Sequence, residues 1–448
     1  MLSSQLNQLV QQRKNWNKRF SNKVPSEAGK PTNFAHHQPD LPFLFDRPLE
    51  NVATILVTLH HPIFSNFLDD CDAYQPTAED SASALDFSQK MSGFFDKEAL
   101  RTKCALELLT KYGLLVRGGS LGELTTNGDL CENNFVYAIL ETELELGASS
   151  AEPVLQLGWY YAASMNEKNE KHPRSNLPCL LIYLVGEYCG SSLGMILTTE
   201  QGPILAFWVL YGQAPLLFKC LAPVLPLYYH YSDWSSRDRV SRAFGALKKA
   251  CSALKDYYGK DLATLEWPVA GFPHPHEYKT SVGSLSFTYL EAIDKDKLIF
   301  HAKCDNEDIC INFVRRYSRE AHETCVSIGC APALRGFECI PGGWFMVVMD
   351  YIGESHCSLE MVTPSTELEQ TLVEKLGQLH QEGYVHGDIR VNNIMVPYNG
   401  KGIMLLDFDW GGKIGKVTYP ININLNIEEG QPDRVSRGEY TVFYMTSS

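Results

Sequence analysis

Late in the chain, three oxygen-bearing side chains are spaced as a reaction centre would need them. Asp388 is followed five residues later by Asn393, within Val385-His386-Gly387-Asp388-Ile389-Arg390-Val391-Asn392-Asn393-Ile394-Met395-Val396. Asp407 lies in the next apolar run, Ile403-Met404-Leu405-Leu406-Asp407-Phe408-Asp409. Between the two, Pro397-Tyr398-Asn399-Gly400-Lys401-Gly402 has the composition of a turn. The pattern predicts a polar loop, a short strand, a turn, a second short strand and then a carboxylate. Pairing of the strands would bring Asn393 and Asp407 together. An amide oxygen beside a carboxylate suits a hard ion such as Mg2+, which prefers oxygen ligands. Asp388 stands where a base would orient an acceptor hydroxyl and take its proton. Arg390 would place positive charge near a transferring phosphoryl group, and His386 would pack and hydrogen-bond to hold the loop. The chemistry that gives every one of these groups a role is phosphoryl transfer from ATP.

Several elements must position this loop. Thr366 with Glu369 has the form of a capping box, and Leu368, Leu372, Leu376 and Leu379 recur along one helical face before Gly383 offers a stop. Upstream, 298–304 and 309–314 read as paired strands, followed by a helix containing Glu320. Residues 343–351 read as a further strand leading into a hinge between two lobes. No GxxxxGK[ST] loop occurs, and 291–298 contains no glycine.

On these residues the chain resembles the protein kinases, whose catalytic loop reads HRDLxxxN and whose metal-binding motif reads DFG. Here the strings are HGDIRVNN and DFD, with the Asp-to-Asn spacing kept. The resemblance implies Asp388 as catalytic base and Asn393 and Asp407 as magnesium ligands. Kinases also clamp the α- and β-phosphates with a third-strand lysine oriented by a helix glutamate. The corresponding positions are Asn312 and Glu320, so the lysine is missing. Lys303, on the preceding strand, is either a substitute or an ordinary exposed lysine. The stretches RRYSREAHETCVSIGCAPAL, GGWFMVVMDYI, HGDIRVNNIMV and LLDFDWGGKIGKVTYP together are similar to the kinase-like domain of fungal and oomycete Crinkler-type proteins. Those share DFDW and lack the usual glycine loop, whereas Asn312 is a departure. After Asp407 there remain 448 − 407 = 41 residues, so an abbreviated second lobe is expected. The resemblance implies transfer of the γ-phosphoryl group of Mg-ATP to a protein Ser/Thr hydroxyl. A catalytically dead pseudokinase, acting as an interaction module, is the alternative.

Crinkler-type proteins often carry a restriction-endonuclease-like (PD-(D/E)xK) domain ahead of the kinase. Such nucleases use an Asp, a Glu-x-Lys on a strand and a Gln-x-x-x-Tyr on the next helix, with two carboxylates on the metal. The fainter counterparts are Asp129, then Glu141 with Glu143 at the lysine position, then Gln156 and Tyr160. The runs at 61–64 and 67–71 are also similar to that group's N-terminal region. A second glutamate at the lysine position reverses the local charge and repels a substrate phosphate. Three readings stand: an inactive nuclease fold kept as scaffold, an active metal-dependent nuclease, or an unrelated α/β domain.

These pieces fit a two-domain protein of mixed α+β and α/β class. Over its 448 residues the expected divisions are a flexible lead-in over 1–50 and a nuclease-like α/β domain over 51–258. A linker over 259–283 precedes a two-lobed kinase-like domain over 284–448, with a small lobe at 284–352 and a short C-lobe at 353–448. Strands are expected at 135–140, 179–185 and 193–198, and an amphipathic helix at 240–258. The uncharged run 201–218 is interrupted by Gly202, Pro203, Gln213 and Pro215, which predicts a buried strand followed by a core helix rather than a membrane span. A balance of 39 basic against 53 acidic residues, net −14, argues against nucleic acid or anionic lipid as partner. Thirteen cysteines without a CxxC pair, and a polar N-terminus, suggest reduced thiols in an intracellular chain.

Overall fold

The computed structural model describes residues 24–37, 43–45, 55–121, 124–144, 150–165, 168–172, 175–186, 204–211, 216–221, 224–227, 232–262, 272–295, 297–363 and 365–419, with Gln11. The chain is mixed α/β and divides into two compact units, Met1–His274 and Pro275–Ser448. The division falls inside the stretch read as a linker, whose second half is partly strand.

In the first unit a mixed sheet collects β1 (Phe43–Phe45), β2 (Gly128–Glu132), β3 (Phe135–Glu143), β4 (Cys179–Val185), β5 (Ile204–Tyr211), β6 (Leu216–Cys220) and β7 (Leu225–Pro226). The order is β1-β6-β5-β4-β3-β2, with β7 also on β5. Every residue of β3 is buried, as a run of β-formers covered on both faces should be. It lies antiparallel to β2 and parallel to β4, and the parallel step is bridged by α4 (Pro153–Met165). The helices α1 (Pro62–Ala73), α2 (Ala78–Met91) and α3 (Glu98–Lys111) precede that meander in the chain. The last helix, α5 (Trp234–Tyr258), is capped by the Asp233 carboxylate on Ser236 N–H at 3.0 Å. It buries Val240, Phe244, Leu247, Ala250, Cys251 and Leu254, one stripe at helical spacing. Its large apolar side chains each contribute roughly 1.5–3 kcal/mol.

Two expectations need correction here. Part of 1–50 belongs to the fold: Ala28 and Phe34 join the core, and β1 pairs in parallel with β6. The second half of the uncharged run is the strand β6, not a helix, because an unbroken apolar run does not distinguish the two by period. The strand expected at 193–198 lies outside the described residues. Among the described residues no helix is long and apolar enough to cross a membrane.

The second unit begins with the hairpin β8 (Glu277–Thr280) and β9 (Gly283–Ser286). A five-stranded antiparallel sheet follows, made of β10 (Thr288–Asp294), β11 (Ile299–Cys304), β12 (Glu307–Val314), β13 (Leu334–Ile340) and β14 (Trp344–Asp350) in the order β10-β11-β12-β14-β13. Phe287, Tyr289, Phe300 and Phe313 form a ring-to-ring ladder with centroids 5.2, 5.5 and 6.0 Å apart. Between β12 and β13, α6 (Arg319–Ile328) starts at the Ser318 cap and stops at Gly329, whose φ of 77° is the left-handed conformation that ends helices.

Beyond the sheet come β15 (His356–Ser358), α7 (Thr366–Gln381), β16 (Tyr384–Val385), β17 (Ile394–Pro397), β18 (Met404–Leu405) and β19 (Gly412–Lys413). Strands β15, β17 and β18 pair in that order, and β16 pairs with β19. The cap of α7 is Ser365, which accepts from Leu368 N–H at 3.2 Å; the predicted Thr366 box is one residue late. Leu368, Leu376 and Leu379 of α7 share a core with Ala321 and Cys325 of α6, with Ile394 and Leu405, and with Phe408. The chain around Asp388 and Asp407 is thus anchored on two helices.

Candidate active site

Pairing of β17 with β18 sets Ile394 opposite Leu405 and Met395 opposite Met404. Asn393 and Leu406 then sit side by side, and Leu406 N–H donates to Asn393 O at 2.9 Å. At the next residue the backbone turns: Asp407 has a φ of 66°. That region is uncommon for residues other than glycine, though Asp tolerates it better than most, and such conformations cluster at functional sites. Gly387 has a φ of 84°, so its lack of a side chain is needed for the bend before Asp388.

His386 ties the two stretches together. Its Nε2 donates to Leu406 O at 2.9 Å, and its Nδ1 accepts from Asp388 N–H at 3.3 Å. Burial pushes its pKa down to about 4, which keeps the ring in the neutral form these two bonds require. Phe408 is held by two imidazoles. It stacks on His322 of α6 at 4.7 Å and 9°, and meets His386 at 4.8 Å. His322 is itself fixed by Tyr317 Oη at 2.8 Å and Pro332 O at 2.9 Å.

Asp388 is buried, at 5% exposure. Its Oδ2 accepts from Asn393 Nδ2 at 2.9 Å and from Arg390 Nη2. Burial raises its pKa above the ordinary carboxylate value, the Asp407 charge adds to this, and the bonds from Arg390 and Asn393 oppose it. With Asn393 Nδ2 committed to Asp388, its Oδ1 meets a different group. Lys297 Nζ, from the turn joining β10 to β11, lies 3.5 Å from Asn393 Oδ1 and 3.1 Å from Asp407 Oδ2. These two oxygens thus already share a cation, and an amide oxygen with a carboxylate fits a hard divalent ion. No group of three or more His, Cys, Asp or Glu side chains is arranged to hold a metal ion among the described residues.

Two neighbours were not singled out from sequence. Asp409 is driven well above the usual carboxylate range by burial and then by the neighbouring Asp407 carboxylate. Trp410 offers its ring to the Arg390 guanidinium at 5.7 Å and is in turn met edge-on by Tyr419. Both stand in the DFDW string and were legible there.

Of the phosphate-clamp candidates, Lys303 takes the second of its two readings, an ordinary exposed lysine. Lys303 is exposed on β11, opposite Asp308 and Thr288, and the lysine that reaches Asp407 is Lys297 instead. Glu320 is exposed in the first turn of α6, whose buried residues are Ala321, His322 and Cys325. Asn312 on β12 is buried, at 6% exposure, and its Oδ1 has no hydrogen-bond partner among the described residues.

In the first unit, Asp129 lies on β2, Glu141 and Glu143 on β3, and Gln156 and Tyr160 on α4. Their side chains are only partly brought together. Asp129 accepts from Thr126 Oγ1 at 2.9 Å and from Cys131 Sγ at 3.1 Å. Gln156 packs against Gly29, where an added Cβ would come within 2.7 Å of its Cγ. Glu141 is buried; desolvation, then the charges of Glu98 and Glu143, push its pKa up to about 8 against a hydrogen bond from Asn127 at 3.3 Å. Burial and the nearby Glu141 and Glu98 push the Tyr160 hydroxyl up to about 12. Glu98, from the start of α3, reaches this group only through tertiary packing, so no sequence spacing announces it.

No protein-family model and no curated protein matches the chain. Among solved structures it is similar to the Cydia pomonella granulovirus kinase PK-1, at 17% identity and a TM-score of 0.25. That match covers 29% of this chain and 53% of that one, so it spans about half the viral kinase's length. A superposition that loose carries no argument.

Proposed function

We propose that the second unit is a protein-kinase-like phosphotransferase that moves the γ-phosphoryl group of Mg-ATP to a protein Ser/Thr hydroxyl. The observation that carries this reading is the bonded chain from Asp388 through Asn393 to Lys297 and Asp407. It supports the reading of one buried carboxylate as a base beside two oxygens already grouped around a cation. Asn393 and Asp407 would hold magnesium, which when bound neutralises charge on the phosphates. Asp388 accepts the proton of the acceptor hydroxyl as its oxygen bonds to the γ-phosphorus and the bond to the β-γ bridging oxygen breaks, releasing ADP. Its raised pKa favours that proton uptake, and Arg390 keeps the carboxylate aimed. Mg-ATP should raise the thermal midpoint, as any ligand selective for the folded state does. Asn312, with no charge to hold a phosphate, favours a second reading, an interaction module that has lost catalysis. No shift in midpoint at millimolar Mg-ATP would select it.

For the first unit we infer a scaffold of degenerate nuclease type. Glu143 at the lysine position and the high pKa of Glu141 support loss of the metal-dependent chemistry. The protein should leave DNA uncut with Mg2+ or Mn2+. Cleavage that disappears in Glu141→Ala would reverse this.

A further inference from the structure

We propose that Lys297 is the phosphate-binding lysine of this site, delivered from the turn between β10 and β11 rather than from the third strand. The inference rests on the phosphotransferase reading and adds the residue that reading lacks. The position expected for the lysine, Asn312, is paired in register with Ile299 of β11. Lys297 is two residues before Ile299, so it enters the same region from the adjoining strand. The register is continued beyond the strand by Phe313 N–H donating to Leu298 O at 3.2 Å. The turn has its own lock, Lys297 N–H to Asp294 Oδ1 at 3.1 Å, which points the chain through the bend without using the ammonium group.

The electrostatics agree. The polar end of the site holds three carboxylates, from Asp388, Asp407 and Asp409, and ATP adds further negative charge. Arg390 is already bonded to Asp388. Lys297 supplies a second cation, and its side chain keeps 41% exposure. That leaves it room to move from Asp407 to a phosphate oxygen when a metal ion takes over the two oxygens it now spans. A lysine suits this, because its charge sits on a flexible four-carbon stem.

The test compares Mg-ATP and adenosine binding to the full chain by titration calorimetry. Lys297→Ala should weaken Mg-ATP by about tenfold to a hundredfold, the loss expected for a charge-assisted bond. Adenosine, which has no phosphate, should bind both proteins alike. Asn312→Lys added to Lys297→Ala should restore most of the Mg-ATP affinity by returning the charge through the third strand. Equal or tighter Mg-ATP binding by Lys297→Ala would overturn the proposal, since the ammonium would then merely shield the carboxylates. Equal weakening of adenosine and Mg-ATP would also overturn it, by pointing to a structural role. A double variant that melts like the parent yet recovers no affinity would do the same. If the parent protein itself binds no Mg-ATP, the phosphotransferase reading fails and this proposal with it, an outcome distinct from the others.

Discussion

Each unit of this protein gathers carboxylates, on strands in the first and in loops beside short strands in the second, and the two groups meet opposite company. In the second unit Asp407 faces Lys297 and Asp388 faces Arg390. In the first, the groups acting on Glu141 are two further glutamates and one amide. Buried negative charge without a matching cation is resolved by keeping a proton, which is why Glu141 sits near 8. A site that must receive phosphate needs positive charge beside its acids, and in the second unit Lys297 and Arg390 supply it. Residue type is therefore a poor guide to chemistry until the neighbours are known.

The comparison can be broken most forcefully at Asp388. Asp388→Ala should lower autophosphorylation by about 10²- to 10⁴-fold, the range for a positioned general base; unchanged turnover would remove the base from the scheme. Next in size is Glu141→Gln. The wild-type carboxyl titrates near 4.5 unfolded and near 8 folded, so the folded state binds the extra proton between those values. Stability contributed by the protonated form is complete below about 4.5 and is lost as pH rises through about 8. The variant lacks this loss, so its advantage over wild type should grow from pH 5 to pH 8 by roughly 1.4 kcal/mol per pH unit at most. Urea midpoints at both pH values measure it, and a constant difference would mean that Glu141 is ionised in the fold. The smallest effect belongs to Trp410→Leu. Removing the ring beside Arg390 should cost about 0.5–1 kcal/mol of transition-state stabilisation, read as a severalfold fall in kcat/KM with the fold intact. No change would mean that Arg390 is aimed by Asp388 alone.

Much of the second site could be read in the sequence because its devices are local. A six-residue turn and two short apolar runs suffice to set Asn393 beside Leu406 and hence Asp407. Lys297 was not legible, since its approach depends on how a distant hairpin turn meets the loop. Lys303 came into view by counting along strands, and the register of β11 leaves that side chain outward, as the reading of an ordinary exposed lysine had it. In the first unit the order of residues along strand, strand and helix was readable, but the directions of Asp129 and Gln156 were not. Each is drawn off by a partner, Thr126 or Gly29, that no spacing rule anticipates. The core helix expected within the run 201–218 failed for a different reason: uncharged apolar runs carry no period to choose between structures.

The clasp on Phe408 has a mechanical consequence. One imidazole comes from α6 and the other from the loop that carries Asp388, while the ring's own backbone accepts a bond from Ser318 N–H at 3.1 Å, just ahead of that helix. A helix pinned in this way works as a tiller: a small swing of α6 would steer the peptide that aims Asp407, even with every polar partner of the site left in place.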